Sequence, residues 1–130
     1  MANSILIVDD NHEVADLLFS LMLQHDRIPH CACNGRDAIA AVGRHLPEVV
    51  ICDLAMPGMS GFDVAESLSA IYGARCPIMI ALTGWSDSGV AQQALNAGFS
   101  IVLAKPTDIR QLLAAIDLAR SARQSGIAPN

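Results

Sequence analysis

Short apolar runs alternate along the chain with stripes of helical period. Ile5-Leu6-Ile7-Val8, Val49-Val50-Ile51-Cys52 and Pro77 to Leu82 are continuous apolar runs, the pattern of parallel strands covered on both faces. Ser100 to Ala104 is a further run, and Arg27 to Cys33 a weaker one whose Pro29 near the start points to a sheet edge. Between the runs lie the stripes of Val14, Leu17, Leu18, Leu21 and Met22, then of Val64, Leu68 and Ile71. Val90, Ala91, Ala94 and Leu95 make another, and Ile109, Leu112, Leu113 and Ile116 the last. A helix from Asn34-Gly35 to about Arg44 closes at Leu46-Pro47. Asn11, Ser60 (with Asp63 three residues on, as in a capping box), Ser86 or Asp87, and Thr107 are the expected N-caps. Gly73 and Gly98 are stops, and Ser121 to Asn130 is a small polar tail expected to fray. Strands alternating with helices in this way predict a doubly wound α/β domain with a five-stranded parallel sheet and five helices.

Composition narrows what such a domain does. At 130 residues, 52% hydrophobic and 16% charged, the chain is one globular domain. No apolar run approaches the roughly 18 residues that span a bilayer. The run Ile5 to Val8 is too short for a secretion signal, so no membrane role and a cytoplasmic location are expected. A net charge of −5 without a basic run argues against nucleic acid as a direct partner. Cys52 and Cys76 belong to apolar runs and read as buried thiols. Alternation puts Cys31 and Cys33 on one strand face, but no second ligand pair follows at zinc-like spacing, and a metal site is not expected there. His12, His25 and His45 read as exposed helix residues.

The chemistry collects at the strand ends. The first strand runs into Asp9-Asp10, the third into Asp53, the fourth into Thr83-Gly84 and the fifth into Lys105-Pro106. In a parallel sheet these ends share one edge, where open α/β folds bind their ligands. Each residue alone has an ordinary role: a helix cap, a turn hydroxyl, a solvated lysine. Together, three carboxylates raise one another's pKa values unless a cation sits among them. Mg²⁺ suits such oxygens, and Lys105 and Thr83 supply positive charge and a donor for a second anion, a phosphoryl group.

These residues, with the run from Asp53 through Met56-Pro57-Gly58 to Gly61, resemble the receiver domain of bacterial two-component response regulators, over about Ser4 to Arg120. The resemblance implies a flavodoxin-like, CheY-like fold with strand order 2-1-3-4-5. It implies Asp53 as the nucleophile that takes a phosphoryl group from a phosphohistidine. Asp10, Asp53 and the Ala55 carbonyl would hold Mg²⁺ directly and Asp9 through water. Lys105 and Thr83 would contact the phosphoryl oxygens, with a cis bond at Lys105-Pro106. Two positions depart from the pattern. Val102 stands where receivers commonly carry a switch aromatic, and Trp85 is large for a loop beside the site. Trp85 is read either as a screen against attacking water or as a plain loop cover.

The resulting expectation is a receiver at residues 1–122 with a short polar tail at 123–130. It is a signalling phosphoacceptor rather than an enzyme, and it works through the face of the fourth helix, fifth strand and fifth helix. A sensor histidine kinase or phosphotransfer protein is the expected donor, a downstream effector protein the output, and a homodimer through the last helix is possible. The alternative is a receiver-like docking module that works without phosphorylation. A Mg²⁺-dependent phosphohydrolase is disfavoured, because its second acid would fall at Ala55.

Overall fold

The structure is a computed structural model that describes residues 3–84 and 88–124. Strands β1 (Ser4–Val8), β2 (Ile28–Ala32), β3 (Val49–Asp53), β4 (Ile78–Thr83) and β5 (Ile101–Ala104) form one sheet in the order β2-β1-β3-β4-β5, every neighbouring pair parallel. Helices α1 (His12–Gln24), α2 (Gly35–His45), α3 (Gly61–Tyr72), α4 (Ser88–Ala97) and α5 (Ile109–Gln124) connect and follow the strands. This is the doubly wound architecture that the alternation predicts.

Alternate side chains of each strand feed two cores. Leu6, Val8, Val50, Cys52, Met79 and Ala81 face α2, α3 and α4, where Val64, Leu68 and Phe99 fill the layer. Ile5, Ile7, Val49, Ile51, Ile78, Ile80 and Leu82 face α1 and α5 and meet Leu18, Met22, Leu112 and Ile116. Double coverage explains why β1, β3 and β4 read as unbroken apolar runs and are buried throughout. β2, with Pro29, lies at the sheet edge as expected.

Caps define the helix starts. Asn11 accepts from the backbone N–H groups of Glu13 and Val14, Asn34 from Asp37, and Ser60 with Asp63 forms a full capping box. Four expectations are corrected. Leu17 and Ile71 are mostly exposed, because α1 buries Ala15, Leu18 and Met22 and α3 buries Val64, Ala65 and Leu68, one position round from the expected stripes. Asp108, not Thr107, caps α5: its carboxylate accepts from the Gln111 N–H at 2.8 Å. α5 runs on through Gln124, so 121–124 are helical, and Arg123 donates to the Cys76 carbonyl at 2.9 Å. His45 is half-buried, its ring stacked on His30 at 3.7 Å, whereas His12 and His25 are exposed. The expected cap at Ser86 or Asp87, and Trp85, lie outside the described residues.

Candidate functional site: an acidic cluster at the strand ends

Register brings the cluster together. Val8 pairs with Cys52 and Asp53 with Leu82, so the residues that leave β1, β3 and β4 emerge side by side. One carboxylate oxygen from each of Asp9, Asp10 and Asp53 lies within 4.8 Å of the others. Lys105 reaches in from the end of β5, its Nζ 3.1 Å from Asp9 Oδ2 and 3.4 Å from Asp53 Oδ1. Its own backbone N–H donates to the Thr83 carbonyl at 2.7 Å, which fixes the β5 end against β4. The Lys105-Pro106 bond is cis. Asp9, Asp53 and Thr83 are buried, and Asp10 is exposed.

Local hydrogen bonds orient the acids. Asp9 Oδ1 accepts from the Asn11 N–H at 2.9 Å, and the Asp9 N–H donates to the Ala32 carbonyl at 3.2 Å. Asp53 Oδ1 accepts from the Ala55 N–H at 3.3 Å. Behind the nucleophile candidate, the buried Cys52 thiol donates to the Asp53 carbonyl at 3.3 Å. Gly61 packs flat on the same peptide, where a Cβ would meet the Asp53 carbonyl oxygen and come within 2.8 Å of Leu54 Cα. Its N–H donates to the Leu54 carbonyl at 3.0 Å.

Burial pushes the Asp53 carboxyl above its ordinary range. The Lys105 charge opposes this, Asp9 adds to it, and the Ala55 N–H works with Lys105. For Lys105 burial works to lower the pKa, but the hydrogen bond to Asp9 and the charges of Asp53 and Asp9 outweigh it and hold the ammonium above its usual value. Burial, then the Asp53 and Asp9 charges, keeps Cys52 a thiol. The site is therefore short of positive charge: three acids share one ammonium.

That donor set fits a hard divalent cation. Mg²⁺ takes oxygen ligands, retains waters and is commonly held by one or two carboxylates. Asp10 and Asp53 offer such oxygens, with Ala55, an exposed residue whose N–H donates to Asp53, beside them. A tetrahedral arrangement of soft ligands is absent from the cluster, which argues against zinc.

The residues singled out from sequence, Asp9, Asp10, Asp53, Thr83 and Lys105, thus share one edge of the sheet. Val102 lies one strand away, half-buried on β5 opposite Ala81 and packed against the α2–α4 core. Sequence reasoning missed the seat of Gly61 under Asp53, for which the Ser60-Gly61 pair at a helix start was the available signal. It also missed an apolar cavity of about 400 Å³ beside Lys105, lined by Val14, Leu17, Leu18, Leu82 and Pro106 among others. The exposed Leu17 is the residue that could have disclosed it.

Among proteins of known sequence, residues 5–117 match the model of the response regulator receiver domain. A 14.6 kDa uncharacterized protein of Leptolyngbya boryana is 33% identical over 109 residues, covering 84% of this chain and 83% of that one. A response regulator receiver domain protein from Clostridium thermocellum superposes with a TM-score of 0.86 at 25% identity, covering 95% and 98% of the two chains. The receiver domain of the Saccharomyces cerevisiae response regulator Ssk1, solved in complex with the histidine phosphotransfer protein Ypd1, is 24% identical with a TM-score of 0.78 over 84% and 82% of the chains. Fold, strand-end residues and sequence agree, and the chain belongs to the receiver domains of two-component response regulators, which are signalling modules.

Proposed function

We propose that this protein is a phosphoacceptor switch, with Asp53 as the residue modified. One observation carries the reading: buried Asp53 and Asp9 share a single ammonium, Lys105, beside the exposed Asp10. Asp53 is the acid on the central strand, its Oδ1 held by the Ala55 N–H and 3.4 Å from Lys105, and a carboxylate oxygen of Asp53 is the attacking atom. Attack of that oxygen on phosphorus, with departure of the donor group, gives an aspartyl-phosphate. Asp10, Asp53 and the Ala55 carbonyl would hold Mg²⁺, with Asp9 supporting it, and the ion would supply charge neutralisation for the transferring oxygens. Lys105 leaves Asp53 for the incoming phosphoryl group, and the Thr83 hydroxyl bonds it afterwards, which draws the start of α4 inward.

The donor is a phosphohistidine on a sensor kinase or phosphotransfer protein, the partner class seen with Ssk1. The apolar cavity between α1 and Pro106 suits a helix carrying that histidine, because it opens next to Lys105. Output runs through α4, β5 and α5 to an effector protein in the cytoplasm. Leu112 and Ile116 are already buried against the sheet, which leaves the expected α5 stripe little for a homodimer.

Val102 favours a second reading, docking without a phosphorylation cycle, since no aromatic side chain on β5 follows Thr83 inward. Incubation with Mg²⁺ and acetyl phosphate, followed by intact-mass measurement, separates the two. A single phosphoryl adduct on the wild type, missing from Asp53→Asn and without Mg²⁺, is expected. No adduct under any condition leaves the docking module.

A further inference from the structure

A second cavity, about 470 Å³, adjoins the acidic cluster and is lined by Asp9, Cys31 and Cys33 together with His12, Asp16 and His45 among others. Both cysteines are free and exposed. They flank Ala32, the last residue of β2, whose carbonyl accepts the Asp9 N–H at 3.2 Å. The Ala32–Cys33 peptide between the two thiols thus anchors the main chain of Asp9, whose buried carboxylate is held by the Asn11 N–H and Lys105. A soft metal is not the guest favoured here. Among the described residues, the one group of three ligand atoms close enough to hold an ion is Asp9, Asp10 and Asp53.

We infer that Cys31 and Cys33 are a redox-sensitive dithiol, whose oxidation to a disulfide withdraws the Ala32 carbonyl from Asp9 and weakens the cation site. Cys31 lies within β2 and Cys33 one residue past its end, in a bend, and residues two apart in fully extended backbone stand about 6.6 Å apart at Cα. A disulfide needs Cβ atoms about 3.8 Å apart, so the bridge closes only when the backbone at Ala32 contracts. Asp9 then loses its main-chain anchor while its carboxylate is still paired with Lys105 at 3.1 Å. Strained, exposed bridges of this kind are the readily reduced ones, as a reversible device requires.

The oxidant is a hydroperoxide. Both thiols are exposed, and in one order of events Cys33 meets the peroxide first. Its sulfur attacks one oxygen of hydrogen peroxide, the O–O bond breaks, the other oxygen leaves as water, and Cys33 is left as a sulfenic acid. Cys31 sulfur then attacks Cys33 sulfur, the S–O bond breaks, and a second water departs. Two thiols lose two electrons and two protons, and peroxide is reduced to water. A dithiol reductant reverses the change.

The inference rests on the reading of the acidic cluster as a Mg²⁺ site, and its test is arranged to separate the two. The full chain is treated with hydrogen peroxide, quenched, and mapped by intact mass and peptide linkage, and Mg²⁺ affinity is measured by calorimetry before and after. Loss of two hydrogens at a Cys31–Cys33 linkage is expected, with Mg²⁺ affinity reduced about 10-fold or more, as for loss of a residue supporting a metal ligand. Dithiothreitol should restore it, and Cys33→Ser should be insensitive to peroxide. A sulfinic acid, a disulfide between two copies, or the intramolecular bridge with unchanged Mg²⁺ affinity would each overturn the inference. Reduced protein that binds no Mg²⁺ would instead defeat the reading of the cluster.

Discussion

At the N-terminal edge of the sheet, Glu48 in front of β3 sits 3.1 Å from Arg120 of α5, and Arg27 in front of β2 lies 3.5 Å from Asp117 of the same helix. At the C-terminal edge, Asp9, Asp10 and Asp53 share Lys105. Each lower pair is neutral; Asp117 is largely solvated, whereas the facing Glu48 and Arg120 atoms are buried and close without being aligned as a hydrogen bond. Such pairs fasten a helix and do little else. The upper cluster carries two uncompensated negative charges, part of it buried. A fold gains nothing from that arrangement in isolation. An excess of like charge confined to one edge is the mark of a place where something positive binds.

The sharpest way to break the contrast is Lys105→Ala. Phosphoryl transfer from acetyl phosphate, followed by mass, should fall about 100-fold or more, the usual cost of removing a donor from developing charge. Mg²⁺ affinity, followed by calorimetry, should rise, because the competing cation is gone. A fall in both would make Lys105 a scaffold for the acids rather than a rival of the metal.

The second effect is one of pH. The Asp53 pKa is raised above 3.8, so in the window between that value and its native one the folded state binds more protons than the unfolded chain. Stability of the metal-free protein therefore falls as pH rises through that window and stays lower at neutral pH. Asp53→Asn should remove this slope and raise the melting temperature at pH 7 by a few degrees without Mg²⁺. Added Mg²⁺ should stabilise the wild type more than the variant. A pH profile of melting temperature identical in both would show that Asp53 is not the destabilising charge.

The smallest effect belongs to the lower edge. Asp117→Ala should cost about 1 kcal/mol or less in urea unfolding and leave phosphoacceptance unchanged. A loss of phosphoacceptance would mean that the two edges communicate through α5.

Much of this was legible in the sequence, for reasons particular to each element. Strands covered on both faces cannot hide their apolar runs, so β1, β3 and β4 were plain. The strand ends followed, since parallel register places the residues after Val8, Cys52, Leu82 and Ala104 on one edge. Helix faces were harder. A stripe of period 3.6 is compatible with neighbouring rotations, and the small Ala15 and Ala65 took the buried positions that Leu17 and Ile71 seemed, on hydrophobicity alone, to claim. Thr107 and Asp108 are both good caps, and only the chain's path after Pro106 chooses between them. The contact of Gly61 with Asp53, the stacking of His30 on His45 and the link from Ala32 to Asp9 join residues distant in sequence, and no local pattern announces them.

The seat of Gly61 on the Asp53 peptide has a consequence for how such a protein diversifies. The segment between them is clasped at both ends: Leu54 is bonded to Leu82 on one side and to Gly61 on the other. Within it Pro57 and Gly58 are exposed, Gly58 has φ of +75° and open space around it, and neither bears on the acids. A change of side chain at these two outward positions would therefore meet solvent, while the Asp53 carboxylate stays where the clasp puts it. Within eight residues, a position open to substitution lies beside one that is fixed on both sides.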